Sequence, residues 1–303
     1  MLASNKKTTV LKVSSSLADE KKIELFIKRD DLIHPEISGN KWRKLKYNIL
    51  HAKEKGYQKL VTFGGAYSNH LYAFAAACKN FDINGIAIVR GEKPKKLSHT
   101  IQFAEKCGIE LIYISREDYR KKDSEIIKSK IADNDFFLIP EGGSNAFALI
   151  GLKEMMEEIN EEYDFICCPI GTGGTVSGIL KYSHSSTKVV GFPVLKGVDY
   201  LKENISELSE LKNIDEKLIW ASDYHFGGYA KVNQDLVDFT NGFYQEHQIP
   251  LDLVYTSKMM YGILDMIKNG MFPENSKILA IHTGGLQGNI GMKERLKKIN
   301  LSF

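Results

Sequence analysis

Cys168-Pro169-Ile170-Gly171-Thr172-Gly173-Gly174-Thr175 is the stretch on which the fold turns. The apolar run Phe165–Pro169 ends in a glycine-rich turn, and the apolar spacing over Thr175–Tyr182 then predicts a helix. Two more runs end the same way: Val61-Thr62-Phe63-Gly64-Gly65-Ala66-Tyr67-Ser68-Asn69-His70 and Ile281-His282-Thr283-Gly284-Gly285. In a parallel α/β sheet such turns lie at the carboxyl ends of strands, where ligands bind. Glycine allows close backbone approach, and a helix start offers free N–H donors with a partial positive charge.

The same alternation runs outward almost from end to end. Ile23–Ile27, Leu60–Phe63, Gly85–Val89, Leu111–Ile114, Phe136–Ile139, Phe165–Pro169, Val189–Val194 and Ile278–Ile281 are short, β-branched or aromatic, and closed by turn residues. Between them Ser68–Lys79, Leu97–Lys106, Ser124–Ala132, Ala146–Glu158 and Thr175–Tyr182 carry helical spacing. Continuously apolar strands separated by amphipathic helices predict an α/β protein with parallel sheets covered on both faces. The charge runs Lys93–Lys96 and Arg120–Asp123 read as solvated faces. No repeat, low-complexity tract or Pro-rich linker marks a domain boundary.

The 303 residues allow two domains or one large unit, and 43% hydrophobic with 26% charged residues supplies an ordinary core. A net charge of +3 is too balanced for a nucleic-acid binder. No apolar run approaches the ~20 residues of a membrane helix, and MLASNKKTTV carries no secretory signal. Cys78, Cys107, Cys167 and Cys168 lack paired spacing, so they read as reduced thiols of a cytoplasmic protein, with neither disulfide nor metal framework.

Gly171-Thr172-Gly173-Gly174-Thr175 supplies backbone donors and two hydroxyls, which suits a phosphate; a tight turn that merely permits packing fits equally. It is not a P-loop, because no Gly-Lys-Ser/Thr follows, and Val176 replaces the third glycine of a dinucleotide fingerprint. Ser68-Asn69-His70 opens a helix, where serine and asparagine are ordinary caps. Lys41 follows Ser38-Gly39-Asn40 into the first turn of another helix, a place that disfavours a cation and so favours the nucleophilic amine. The competing reading is an Asn-capped surface lysine in a basic helix with Arg43, Lys44 and Lys46. An amine, an anion cradle and a hydroxyl/amide turn together suggest pyridoxal 5'-phosphate. A binding protein for pyridoxal phosphate or another phospho-ligand, without turnover, would use the same turns.

Seven segments carry a resemblance, in order, over residues 24 to 290: Lys28-Arg29-Asp30-Asp31-Leu32, Gly39-Asn40-Lys41-Trp42-Arg43-Lys44-Leu45, Gly64–His70, Pro140-Glu141-Gly142-Gly143-Ser144, Gly171–Thr175, Val254-Tyr255-Thr256-Ser257-Lys258 and His282-Thr283-Gly284-Gly285. The chain resembles the fold type II pyridoxal-phosphate enzymes (tryptophan synthase β-like). Within them it is similar to the 1-aminocyclopropane-1-carboxylate deaminase and D-cysteine desulfhydrase family. The resemblance implies two open, twisted, mainly parallel sheets flanked by helices. It divides the chain into a large cofactor-binding domain of residues 1–45 plus 151–303 and a small inserted domain of 46–150, and implies a homodimer.

It also implies roles. Lys41 would bond covalently to the cofactor's aldehyde and move protons, Asn69 would hold its ring hydroxyl, Gly171, Thr172, Gly173, Gly174 and Thr175 its phosphate, and Thr283 would face its ring nitrogen. Ser68, Asn69 and the His70 backbone would grip the substrate carboxylate, with Ser68, Tyr255 and Tyr229 completing the catalytic set. Three departures stand out: Thr256 and Thr283 replace the Glu and Leu of the family's deaminases, Tyr229 lies in Gly-Gly-Tyr-Ala instead of Gly-Tyr-Gly, and beside the family pattern the chain looks trimmed near its start and around 195–225. The expected reaction is β-elimination from D-cysteine to keto acid, ammonia and sulfide. The alternative is ring opening of 1-aminocyclopropane-1-carboxylate.

Overall fold

The computed structural model describes residues 7–121, 131, 135–298 and 302–303. Ten strands form among them: β1 (Val10–Lys12), β2 (Glu24–Lys28), β3 (Lys59–Gly65), β4 (Asn84–Arg90), β5 (Glu110–Ile114), β6 (Phe137–Ile139), β7 (Phe165–Ile170), β8 (Lys188–Pro193), β9 (Leu218–Trp220) and β10 (Lys277–Ile281). They make two sheets, ordered β1-β2-β10-β7-β8-β9 and β5-β4-β3-β6. Every pairing is parallel except β1 with β2. The smaller sheet is drawn wholly from residues 59–139; the larger comes from both flanks.

All the expected strands form, shifted by a residue or two. Their readability has a cause: β3, β4, β7, β8 and β10 are buried on both faces, so their sequences run continuously apolar. The two unexpected strands, β1 and β9, are three-residue edge strands with partly exposed side chains, too short to show a period. The helices Asn69–Phe81, His99–Lys106, Ala146–Glu157 and Gly174–Tyr182 match expectation. The candidate helix Ser124–Ala132 lies, apart from Ile131, outside the described residues. Lys93–Lys96 is exposed, as its charge requires. No helix among the described residues is long and apolar enough to cross a membrane.

Helix Asn40–Glu54 joins the two sheets. Its apolar stripe, Trp42, Leu45 and Ile49, packs into the core of the smaller sheet. Its other side meets helix Ala146–Glu157 so closely that a Cβ on Gly151 would lie 1.9 Å from the Arg43 carbonyl oxygen. Only glycine fits that crossing.

The Lys-Arg-Asp-Asp motif is a buried charge lattice beneath this helix. Arg43 donates to Glu158 through both terminal nitrogens at 2.7 Å, and to Asp30 through Nη2 at 3.0 Å and Nε at 3.1 Å. Lys28 Nζ reaches Glu158 at 2.8 Å and the Thr8 hydroxyl at 2.6 Å. Arg29 grips Asp31 with two bonds of 2.7 and 2.8 Å. Buried charges survive folding only when partnered in this way.

Candidate active site

The three glycine turns converge on the start of helix Asn40–Glu54. Gly39 enters it at φ +62°, where a Cβ would stand 2.0 Å from the Thr283 carbonyl oxygen, and the Asn40 N–H donates to that same oxygen at 3.3 Å. This stitches the lysine-bearing helix to the third turn through backbone alone. The Asn40 side chain is not the helix cap that the sequence suggested; Gly39 occupies the cap position. The Asn40 amide is spent elsewhere: Nδ2 donates to the Thr175 hydroxyl at 2.8 Å, and Oδ1 accepts from Lys41 Nζ at 3.1 Å. One asparagine thus spans from the lysine to the second turn.

The remaining contacts close the ring. Cβ atoms on Gly285 and Gly288 would stand 2.6 and 3.1 Å from the Asn69 amide, so the first turn meets the third. A Cβ on Gly171 would stand 3.1 Å from the Tyr255 ring. The Tyr255 and Tyr229 hydroxyls lie 3.5 Å apart, with their rings edge to face at 6.0 Å. Tyr229 therefore reaches the cluster despite its unfamiliar flanks. Ser68 caps helix Asn69–Phe81, accepting from the Leu71 N–H at 3.3 Å. The His70 side chain is buried away from that turn's opening, its Nε2 2.8 Å from the Thr62 hydroxyl. Because Thr62 donates its own hydrogen to the Ile139 carbonyl, His70 is the Nε2–H tautomer. Burial, then Lys41 and Lys44, lower its pKa well below the ordinary value.

Gly173 caps helix Gly174–Tyr182 at φ +87°, and no side chain caps the N–H groups of its first turn. The Thr172 hydroxyl contacts that of Ser144 at 2.9 Å. Thr283 is buried and, among the described residues, its hydroxyl has no protein partner.

Burial lowers the Lys41 ammonium from 10.5 to about 8, against the attraction of Cys168 and Asp252. A sizeable fraction of this amine is neutral at physiological pH. Lys44, one turn along on the same helix face, is also buried. Its Nζ donates to the Gly142 carbonyl at 3.0 Å and the Ser144 hydroxyl at 3.2 Å, and would lie 2.9 Å from a Cβ on Gly174. It faces no carboxylate among the described residues, and burial together with Lys41 pushes its pKa well down. Lys44 is thus no member of a basic surface helix; it is a buried amine beside the cradle. The i, i+3 spacing from Lys41 was its sequence signal.

Asp252 is another residue that sequence reasoning missed. Its carboxylate is buried and accepts from the N–H groups of Val254, Tyr255 and Thr256 and from the Thr256 hydroxyl, at 2.9 to 3.0 Å. Burial raises its pKa against those hydrogen bonds. Its acceptor positions are filled, so it aims Tyr255 and is not presented to a ligand. An acid inside the apolar run Leu251–Val254 was the available clue.

These residues fit pyridoxal phosphate. Lys41 would offer an amine to its aldehyde, and the cradle at 171–175 would offer donors to its phosphate beside Lys44, which no carboxylate pairs among the described residues. Asn69 and Thr283 lie across the intervening space, on turns that touch.

A family model described as "Pyridoxal-phosphate dependent enzyme" matches residues 4–284. A Thermotoga maritima protein, named as a candidate 1-aminocyclopropane-1-carboxylate deaminase, is 31% identical over 96% of this chain and 97% of its own. The mitochondrial bifunctional D-cysteine desulfhydrase/1-aminocyclopropane-1-carboxylate deaminase of Arabidopsis thaliana is 30% identical over 88% of this chain and 73% of its own. A solved structure of an ACC deaminase homologue superposes with a TM-score of 0.79 at 28% identity, covering 97% of this chain and 94% of that one.

Proposed function

The chain belongs to the pyridoxal-phosphate dependent enzymes, and from that premise we propose that it eliminates the β-substituent of D-cysteine, releasing sulfide, ammonia and a keto acid. The observation that carries the reading is Lys41 held by Asn40 against Thr175, an amine set at the edge of an anion cradle that Lys44 completes. When bound, the cofactor supplies the electron sink that lets the α-proton leave. Lys41 holds that proton: its depressed pKa leaves a neutral amine available to accept it near neutral pH. Ser68, Asn69 and the His70 backbone, at a helix start, receive the substrate carboxylate. Tyr255 and Tyr229 stand together, with the Tyr255 ring against Gly171 of the cradle.

The preference for D-cysteine over the cyclopropane substrate rests on Thr283 and Thr256. Opening a carbon ring requires a strong sink, which a carboxylate at the ring nitrogen would sustain. Here Thr256 turns inward to Asp252, Asp252 has no acceptor position to spare, and Thr283 offers a hydroxyl. A thiolate departs with the charge itself and demands less. Measuring kcat/KM on one holoenzyme preparation, for sulfide from D-cysteine and for 2-oxobutanoate from 1-aminocyclopropane-1-carboxylate, tests the reading. A higher value for the cyclopropane compound overturns it.

A cytoplasmic homodimer belongs to the same reading, as does division into a larger unit of residues 1–45 plus 151–303 and a smaller one of 46–150. The membership of the two sheets supports that division, with helix Asn40–Glu54 running across its first boundary.

A further inference from the structure

Tyr229 is delivered by a turn that the backbone resists. Phe226, Gly227, Gly228 and Ala230 all have positive φ, at +53°, +88°, +121° and +53°. Two of the four carry side chains, and left-handed backbone at a non-glycine residue persists only where surrounding contacts enforce it. The enforcing contact comes from below. Lys258 is fully buried, and its Nζ donates to the His225 and Gly228 carbonyl oxygens, both at 2.8 Å, with Phe226 and Gly227 between them. The rest of its helix, Thr256–Lys268, grips the same segment: Phe226 packs edge-on against Tyr261, and Tyr224 donates to Asp265 at 2.8 Å. From the other side Arg295 holds the Ala230 carbonyl at 2.9 Å. The helix that begins beside Tyr255 thus reaches across to aim Tyr229 as well.

We infer that Lys258 is the positioning residue that holds Tyr229 against Tyr255, through the two carbonyls of the 225–228 turn. A buried ammonium is costly, and its desolvation lowers this one to about 8. Among the described residues no carboxylate lies within ion-pairing distance of it, Asp252 acting only from further off, and its hydrogen bonds go to carbonyls of the turn that presents a site residue. The inference rests on the proposed role of Tyr229, so its test has one arm that reads the turn without any reaction.

In that arm, amide hydrogen exchange is followed in the wild-type holoenzyme, K258M and K258Q. Exchange at residues 226–231 should quicken about tenfold or more in K258M and less in K258Q, with helix Asn69–Phe81 unchanged. The second arm is a double-mutant cycle with Y229F, using whichever of D-cysteine and 1-aminocyclopropane-1-carboxylate the holoenzyme turns over. K258M should lower kcat in the wild-type background, leave it within about twofold in the Y229F background, and be partly rescued by K258R. Unchanged exchange at 226–231, fully multiplicative losses with Y229F, or failure of both K258M and K258Q to fold would each overturn the inference. If neither substrate is turned over, the proposed reaction fails while the exchange arm still decides on Lys258.

Discussion

Arg43 and Lys44 are neighbours on one helix, 3% and 2% exposed, and their surroundings are opposite. Arg43 points into a lattice of two carboxylates and is held charged, its pKa raised because Asp30 and Glu158 outweigh the effect of burial. Lys44 points with Lys41 towards the glycine turns, meets only a carbonyl and a hydroxyl, and is pushed towards its neutral form. One face of the helix spends its charges on holding the fold. The other leaves them unsatisfied, which is what a site awaiting an anionic ligand and a reactive aldehyde requires. Burial alone therefore says nothing about a cation's role; its partners do.

The comparison breaks most visibly at Lys41. Lys41→Ala should lower turnover by at least about 10²–10⁴-fold while leaving the fold intact. Borohydride reduction followed by peptide mapping should label Lys41 in the wild-type chain, and labelling of Lys44 instead would reverse the assignment of the two. On the opposite face, Glu158→Ala leaves Asp30 alone to compensate Arg43 and Lys28 in the interior and should cost about 3–5 kcal/mol in denaturant unfolding.

The same carboxylate gives a pH signature. Burial would raise the Glu158 pKa, but the hydrogen bonds from Arg43 and Lys28 outweigh it and hold it at about 2, below the ordinary 4.5. A depressed carboxyl stabilises the fold fully above its unfolded value and loses that contribution as pH falls through its folded value. Stability should therefore drop from about pH 4.5 towards 2, and Glu158→Gln should flatten that limb of an acid titration.

Smaller effects sharpen the contrast. Lys44→Met removes a buried amine that no carboxylate pairs among the described residues, so stability should change little, whereas affinity for pyridoxal phosphate should weaken about 10–100-fold by absorbance titration, the range of one charge-assisted bond. Loss of stability without loss of affinity would move Lys44 to the structural side. Finally, capture of pyridoxal phosphate by the cofactor-free chain should quicken about fivefold from pH 7 to 8 and level off above about 9, following the Lys41 amine. A rise that continues to 10 would mean an ordinary lysine.

What was legible in the sequence follows from the same physics. Inner parallel strands are buried on both sides and announce themselves, whereas β1 and β9, at the edges, do not. The glycine turns were legible because backbone contact excludes side chains whatever the ligand, as Gly39 against Thr283 illustrates. Lys44, Asp252, Lys258 and Glu158 were not, since a charged residue reads as surface until the fold shows what faces it. Asn40 was misread as a cap because capping is the local use of asparagine, and its real partner, Thr175, lies far along the chain.

The place of β10 has a consequence for how the protein is made. The smaller sheet is complete once residue 139 has emerged, but β2 lacks its inner neighbour until residues 277–281 arrive. Residues 282–285, which brace Gly39 and Asn69, come later still. At the ribosome's pace of about 5–20 residues per second, the early-made lysine waits many seconds for the last turn that shapes its surroundings. A chain that ends at residue 276 carries Lys28, Lys41, Lys44 and Lys258 and lacks the enclosure that sets Lys41 apart from the others.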